Sequence, residues 1–84
     1  MTYTVYLKKS AEKELKDLPE DVHDRIVKQL LALKGDPRPR GSKKLRGREG
    51  YRIRVGDYRI LYVIDESKKM VEIVSVAHRR KIYR

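Results

Sequence analysis

The sequence predicts an α+β fold: one N-terminal strand, a hairpin of two helices, then a three-stranded antiparallel meander. Three observations predict it. Apolar and polar residues alternate at period two at the start of the chain and again after residue 50. Between these stretches, apolar residues recur at helical spacing. Clusters of Gly, Pro, Asp and Ser separate the periodic segments. With 84 residues, no cysteine and no long apolar run, the chain is expected to form one domain over 1–84. A chain this short buries roughly 60–65% of its unfolded surface, so its core is modest.

Thr2 to Lys8 reads as a strand, with Tyr3, Val5 and Leu7 on one side. Ser10 is placed to cap a first helix containing Leu15 and Leu18. Pro19 opens a second helix, with Glu20 and Asp21 at its positive end. Val22, Ile26, Leu30 and Leu33 form its apolar stripe, widened by Val27 and Leu31. Gly35, Pro37 and Pro39 end it. Residues 35–50 read as a loop, and Tyr51–Val55 as a strand. Gly56-Asp57 is a two-residue hairpin signal. Tyr58–Ile64 is nearly all apolar and reads as a central strand buried on both faces. A turn at 65–69 leads to a last strand from Met70 to Ala77.

Charge is segregated. The chain carries 22 Lys+Arg and 12 Asp+Glu, a formal net charge of +10. Residues 1–33 are neutral, residues 34–59 carry +7 and residues 78–84 carry +4. Such segregation points to a polyanionic partner if the two basic segments meet in space. The absence of cysteine excludes disulfides, thiolate metal sites and a cysteine nucleophile. No segment resembles a membrane span or a signal peptide, so no membrane association is expected and a cytoplasmic location is.

A two-residue loop at Gly56-Asp57 pairs Val55 with Tyr58, Arg54 with Arg59, Ile53 with Ile60 and Arg52 with Leu61. Arg52, Arg54 and Arg59 then share one sheet face. Like charges opposite each other destabilise by up to ~1 kcal/mol. A fold gains nothing from that arrangement, but an anion-binding face does. The basic loop lies at the rim of the same face, and the tail follows the strand beside the central one.

Four ordered blocks carry a resemblance: Lys44-Leu45-Arg46-Gly47, Tyr51-Arg52-Ile53-Arg54, Gly56–Tyr62 and Val76–Arg84. Together they resemble the RelE/ParE superfamily of toxins, most closely its RelE branch, over essentially the whole chain. The resemblance implies a RelE-like β-α-α-β-β-β fold and the toxin of a prokaryotic type II toxin–antitoxin pair. It implies cleavage of mRNA in the ribosomal A site without a metal or organic cofactor, leaving 2′,3′-cyclic phosphate and 5′-hydroxyl ends. The implied partners are an acidic RelB-like antitoxin, the ribosome and mRNA, with operator DNA reached only through the antitoxin complex.

Such cleavage needs a base for the 2′-hydroxyl, cations for the phosphorane and an acid for the leaving 5′-oxygen. By resemblance, Arg59 and Arg79 bind the scissile phosphate, and Tyr83 orients or activates the 2′-hydroxyl. Arg52 and Arg54 stand where the RelE branch carries lysines. Arginine stays protonated, so they suit clamping better than proton abstraction. His78 fits proton transfer by its chemistry. Lys43, Lys44, Arg46, Arg48, Arg80, Lys81 and Arg84 are expected to contact RNA or the ribosome. The alternatives are a ParE-like gyrase poison and a non-enzymatic module that binds RNA or antitoxin.

Overall fold

The computed structural model describes residues 2–78. In chain order the elements are β1 (Thr4–Leu7), α1 (Lys9–Lys16), α2 (Glu20–Leu33), β2 (Lys43–Lys44), β3 (Tyr51–Val55), β4 (Tyr58–Asp65) and β5 (Met70–His78). The expected strand, two helices and meander are all present. The five-stranded sheet has the order β1-β5-β4-β3-β2. The meander is antiparallel, whereas β1 runs parallel to β5 at the sheet edge.

Two departures from the sequence reading have local causes. The helix α1 starts at Lys9 and takes Lys8, not Ser10, as its N-cap. Lys8 donates its backbone N–H to Ile73 O at 3.0 Å and accepts from Glu12 N at 2.9 Å. The end of the β1 ladder therefore sets the helix start, and Ser10 falls inside the first turn. The second departure is β2, a two-residue strand within the segment read as loop. It pairs Lys43 with Arg52 and Lys44 with Tyr51.

Both helices pack on one face of the sheet. Ala11 of α1 and Ile26, Leu30 and Leu33 of α2 meet Ile53, Ile60, Tyr62, Val71, Ile73 and Val76. Full burial of an aliphatic or aromatic side chain contributes roughly 1.5–3 kcal/mol. Leu31, counted in the α2 stripe by its spacing, is instead 57% exposed. The strand β4 lies between β3 and β5, which explains its buried run from Arg59 to Tyr62.

The β4–β5 ladder has one irregularity. Leu61 pairs with Ser75, but Tyr62 pairs with Ile73, so Val74 is an extra residue on β5. Such a bulge disrupts the ladder and re-aims the residues beyond it. Glu14 of α1 closes the break: its Oε1 accepts Val76 N–H at 2.9 Å and Ser75 Oγ–H at 3.2 Å. The helix thus supplies an acceptor beside the bulge.

Two stability predictions follow from these contacts. Glu14→Ala leaves a part-buried amide without its acceptor and is expected to cost about 1–3 kcal/mol. Glu14→Gln keeps an acceptor oxygen and should recover most of it, as urea denaturation will show. Gly50 has φ +123, and a Cβ there would lie 2.8 Å from Tyr62 O. Gly50→Ala is therefore expected to lose about 1–3 kcal/mol in the same assay.

Candidate functional site

The site begins at the β3–β4 hairpin. Gly56, with φ +59, makes the two-residue loop possible. The observed pairs are Val55 with Tyr58, Arg54 with Arg59, Ile53 with Ile60 and Arg52 with Leu61. Ile53, Ile60 and Tyr62 face the helices. By strand alternation Arg52, Arg54 and Arg59 occupy the opposite face. Lys43 joins them through its pairing with Arg52.

These four cations line one concavity of about 260 Å³, together with Gly41 and Ile53. Arg59 is the most enclosed, at 7% exposure, whereas Arg54 is exposed. Ala77 pairs with Arg59 from the other side. A cation held in a partly desolvated site interacts with an anion more strongly than one in open water. The arrangement can therefore hold a phosphate or carboxylate from several directions. Arginine adds planar, bidentate donation to such groups.

The loop before β2 is tied down on the helix side. Tyr62 is fully buried, and its hydroxyl donates to Pro37 O at 2.7 Å. Burial pushes the Tyr62 phenol up to about 12. Arg38 donates through Nε to Tyr51 Oη at 3.1 Å and pairs with Glu66 at 2.6 Å. These two bonds hold the Arg38 guanidinium above its ordinary range. The Tyr51 ring stacks on Tyr62, with centroids 6.0 Å apart. Glu66 also accepts from Tyr3 at 2.8 Å and from Lys69 at 3.3 Å. Donation by Tyr3, and next by Arg38, holds its carboxyl down at about 2. Arg38, first in the basic loop, therefore braces the loop against the helix-side face. Nothing in its sequence neighbourhood signalled this, because Glu66 is 28 positions away.

Of the residues singled out by sequence, the structure brings Lys43, Arg52, Arg54 and Arg59 together. Lys44, Arg46 and Arg48 are exposed on β2 and the loop that follows it. The structure does not bring His78 to the arginine face. His78 pairs with Tyr58, and the two rings meet edge-on at 5.4 Å. It therefore shares the face of Tyr58 and Ile60, because adjacent strand residues point to opposite sides. Arg79, Arg80, Lys81, Tyr83 and Arg84 lie outside the described residues.

The site thus consists of a helical hairpin on one sheet face and a cationic cleft on the other. Residues 5–83 match the family model described as the ParE toxin of the type II toxin–antitoxin system parDE. Toxin RelE of Mycobacterium tuberculosis is 33% identical over 84 residues, covering 98% of this chain and 87% of that one. Among solved structures, the toxin–antitoxin complex RelBE2 of the same organism is similar, with TM-score 0.84 and 33% identity over 94% of this chain and 100% of that one. The archaeal RelE–RelB complex from Pyrococcus horikoshii has TM-score 0.80 and 30% identity, covering 94% and 97% respectively. The chain belongs to the RelE/ParE toxin family.

The Glu66 brace carries a pH signature. Its carboxyl is stabilised in the ionised form by the fold, at about 2 against an ordinary 4.5. Its contribution is full above the unfolded value and is lost as pH falls through the folded one. Melting temperature should therefore drop more steeply in the wild type than in Glu66→Gln between about pH 5 and pH 2. The group is exposed, so added salt should shrink the difference.

Proposed function

We propose that this chain is the toxin of a type II toxin–antitoxin pair, and that it inhibits translation by cutting mRNA in the ribosomal A site. The observation that carries the reading is the convergence of Lys43, Arg52, Arg54 and Arg59 on one concavity. In the proposed reaction the 2′-oxygen attacks the adjacent phosphorus, and the bond to the 5′-oxygen breaks. The 2′-proton is lost to a base, and the leaving oxygen gains a proton. The products carry a 2′,3′-cyclic phosphate and a 5′-hydroxyl. Arg59 holds the phosphate from within the sheet, and Arg52 and Arg54 close on it from β3. Charge developing on the phosphorane is then met by donors already in place. None of these arginines can serve as the base at neutral pH. This reading does not use His78 as the base, since it pairs with Tyr58 on the other face. Tyr83 and Arg79, at family positions in the tail, are the remaining candidates for orienting the 2′-hydroxyl and holding the phosphate.

The same cationic face suits a partner rich in carboxylates. Related toxins have been solved in complex with RelB, which supports a cognate acidic antitoxin here. A toxin acting on ribosomes works in the cytoplasm. One observation favours a second reading: the matching family model is that of ParE toxins, whose resemblance implies gyrase poisoning. The clustered cation site favours RNA.

Primer extension on an mRNA under translation in a reconstituted system tests the reading. Wild-type protein should cut within A-site codons. Arg59→Ala should lower the cleavage rate by roughly 10²–10³, and Arg59→Lys should recover only part of it. Intact mRNA beside a folded wild-type protein, with gyrase inhibited instead, would transfer the assignment to the second reading.

A further inference from the structure

A second concavity, of about 580 Å³, adjoins the first. The two share Lys43 and Arg52. Arg46 and Arg48 supply further charge at its rim. Its lining also includes two apolar side chains, Leu45 and Leu61. Leu61 pairs with Arg52 across the hairpin, so it lies on the arginine face. There it is an aliphatic side chain in a row of cations.

The loop that forms this groove is closed and short. Leu45 donates its N–H to Gly50 O at 3.0 Å, directly after β2. Gly47 and Gly50 take φ +71 and +123, conformations that side chains rarely adopt. The Leu45 side chain reaches back toward Gly50, with Cδ1 3.3 Å from where a Cβ would stand. Arg46 and Arg48 are left exposed on the same loop. The groove is thus a built feature with charge at its rim and aliphatic surface among its lining.

We propose that this groove is a subsite for a nucleotide flanking the scissile phosphate, with the base on Leu45 and Leu61 and the adjoining backbone phosphates on Arg46 and Arg48. The inference rests on the RNA-cleaving reading above. Three features favour RNA over an acidic peptide. The groove continues from the cationic concavity through shared residues, so a strand seated in the first runs into the second. The rim charge is spread along an edge, which suits a repeating anion. The apolar patch is two side chains wide, which suits one planar base rather than the broad face of a helix.

The test uses the full chain and a short single-stranded RNA carrying a 2′-O-methyl group at the cut site. Two RNAs are compared, one intact and one abasic at the nucleotide beside that site. The abasic RNA should bind wild type about fivefold more weakly, as expected for burying part of one base. Leu45→Ala should weaken binding of the intact RNA similarly, while barely changing binding of the abasic one. Separately, Arg46→Ala/Arg48→Ala should flatten the slope of log affinity against log salt by about 0.7 per lost contact. Both positions are exposed, so this variant is expected to fold. Additive effects of Leu45→Ala and the abasic site, with an unchanged salt slope, would overturn the subsite while wild type still cuts RNA. Weakened binding of a leucine-bearing polyglutamate peptide, with RNA binding untouched, would overturn it in favour of a protein partner. Failure of wild type to cut mRNA under translation would remove the underlying reading, and the subsite with it, whereas wild type that cuts there but binds neither RNA would overturn the subsite alone.

Discussion

The Gly56-Asp57 turn sets the register on which both faces of this sheet depend. With two loop residues, Val55 must oppose Tyr58, and every pair behind it is then determined. A slip of one residue would send Arg59 toward the helices and Ile60 and Tyr62 outward. The core therefore enforces the arginine face. Ile53, Ile60 and Tyr62 are buried against α2 and its neighbours, and their burial holds Arg54 opposite Arg59 against repulsion. The energies decide the matter. A like-charge pair costs up to ~1 kcal/mol, whereas each buried apolar side chain contributes roughly 1.5–3 kcal/mol.

A second set of contacts places the edge of the site. The strand β2 has two residues and cannot be stable on its pairing alone. It follows a loop held by Tyr62 on Pro37 and by Arg38 between Tyr51 and Glu66. Tyr51 and Tyr62 belong to β3 and β4, so the tie is anchored in the same strands that carry the arginines. Glu66 lies in the turn after β4, and Tyr3 lies just before β1. The far end of the sheet thus braces the loop that delivers Lys43 to Arg52. Basic residues of one segment are divided between two tasks: Arg38 fastens the loop, while Lys43 faces the cleft.

Much of this was legible in the sequence, and for definite reasons. The meander and its register follow from turn length and period-two alternation, and the observed pairs of Arg52, Ile53, Arg54 and Val55 match those expected. The helix pair follows from apolar spacing around Pro19. What escaped was non-local. The strand β2 shows no alternation, and its partner is fixed by the fold rather than by its own residues. Arg38 finds Glu66 across the structure. The extra residue at Val74 is invisible to pattern reading, and it matters. Uninterrupted alternation from Val71 and Ile73 would put residue 78 on the arginine face, but the bulge inverts the parity and sends His78 to the side of Tyr58. Residue chemistry had suggested a proton carrier. Backbone geometry places it elsewhere.

Four cations lining one concavity attract an entering anion from several sides. That attraction is electrostatic and therefore falls with salt. It also makes no distinction between a phosphodiester and a carboxylate until geometry is considered. Guanidinium groups donate to either in bidentate fashion. On the proposed reading, one surface then serves both activity and its suppression: an acidic partner need only occupy Arg52, Arg54 and Arg59 to exclude RNA. Arginine in place of lysine sharpens this logic. It fixes the charge at all accessible pH and strengthens the clamp, and it moves proton transfer off β3 to a group that must come from elsewhere. On the same reading, anion capture by the sheet and proton transfer in bond cleavage fall to different groups.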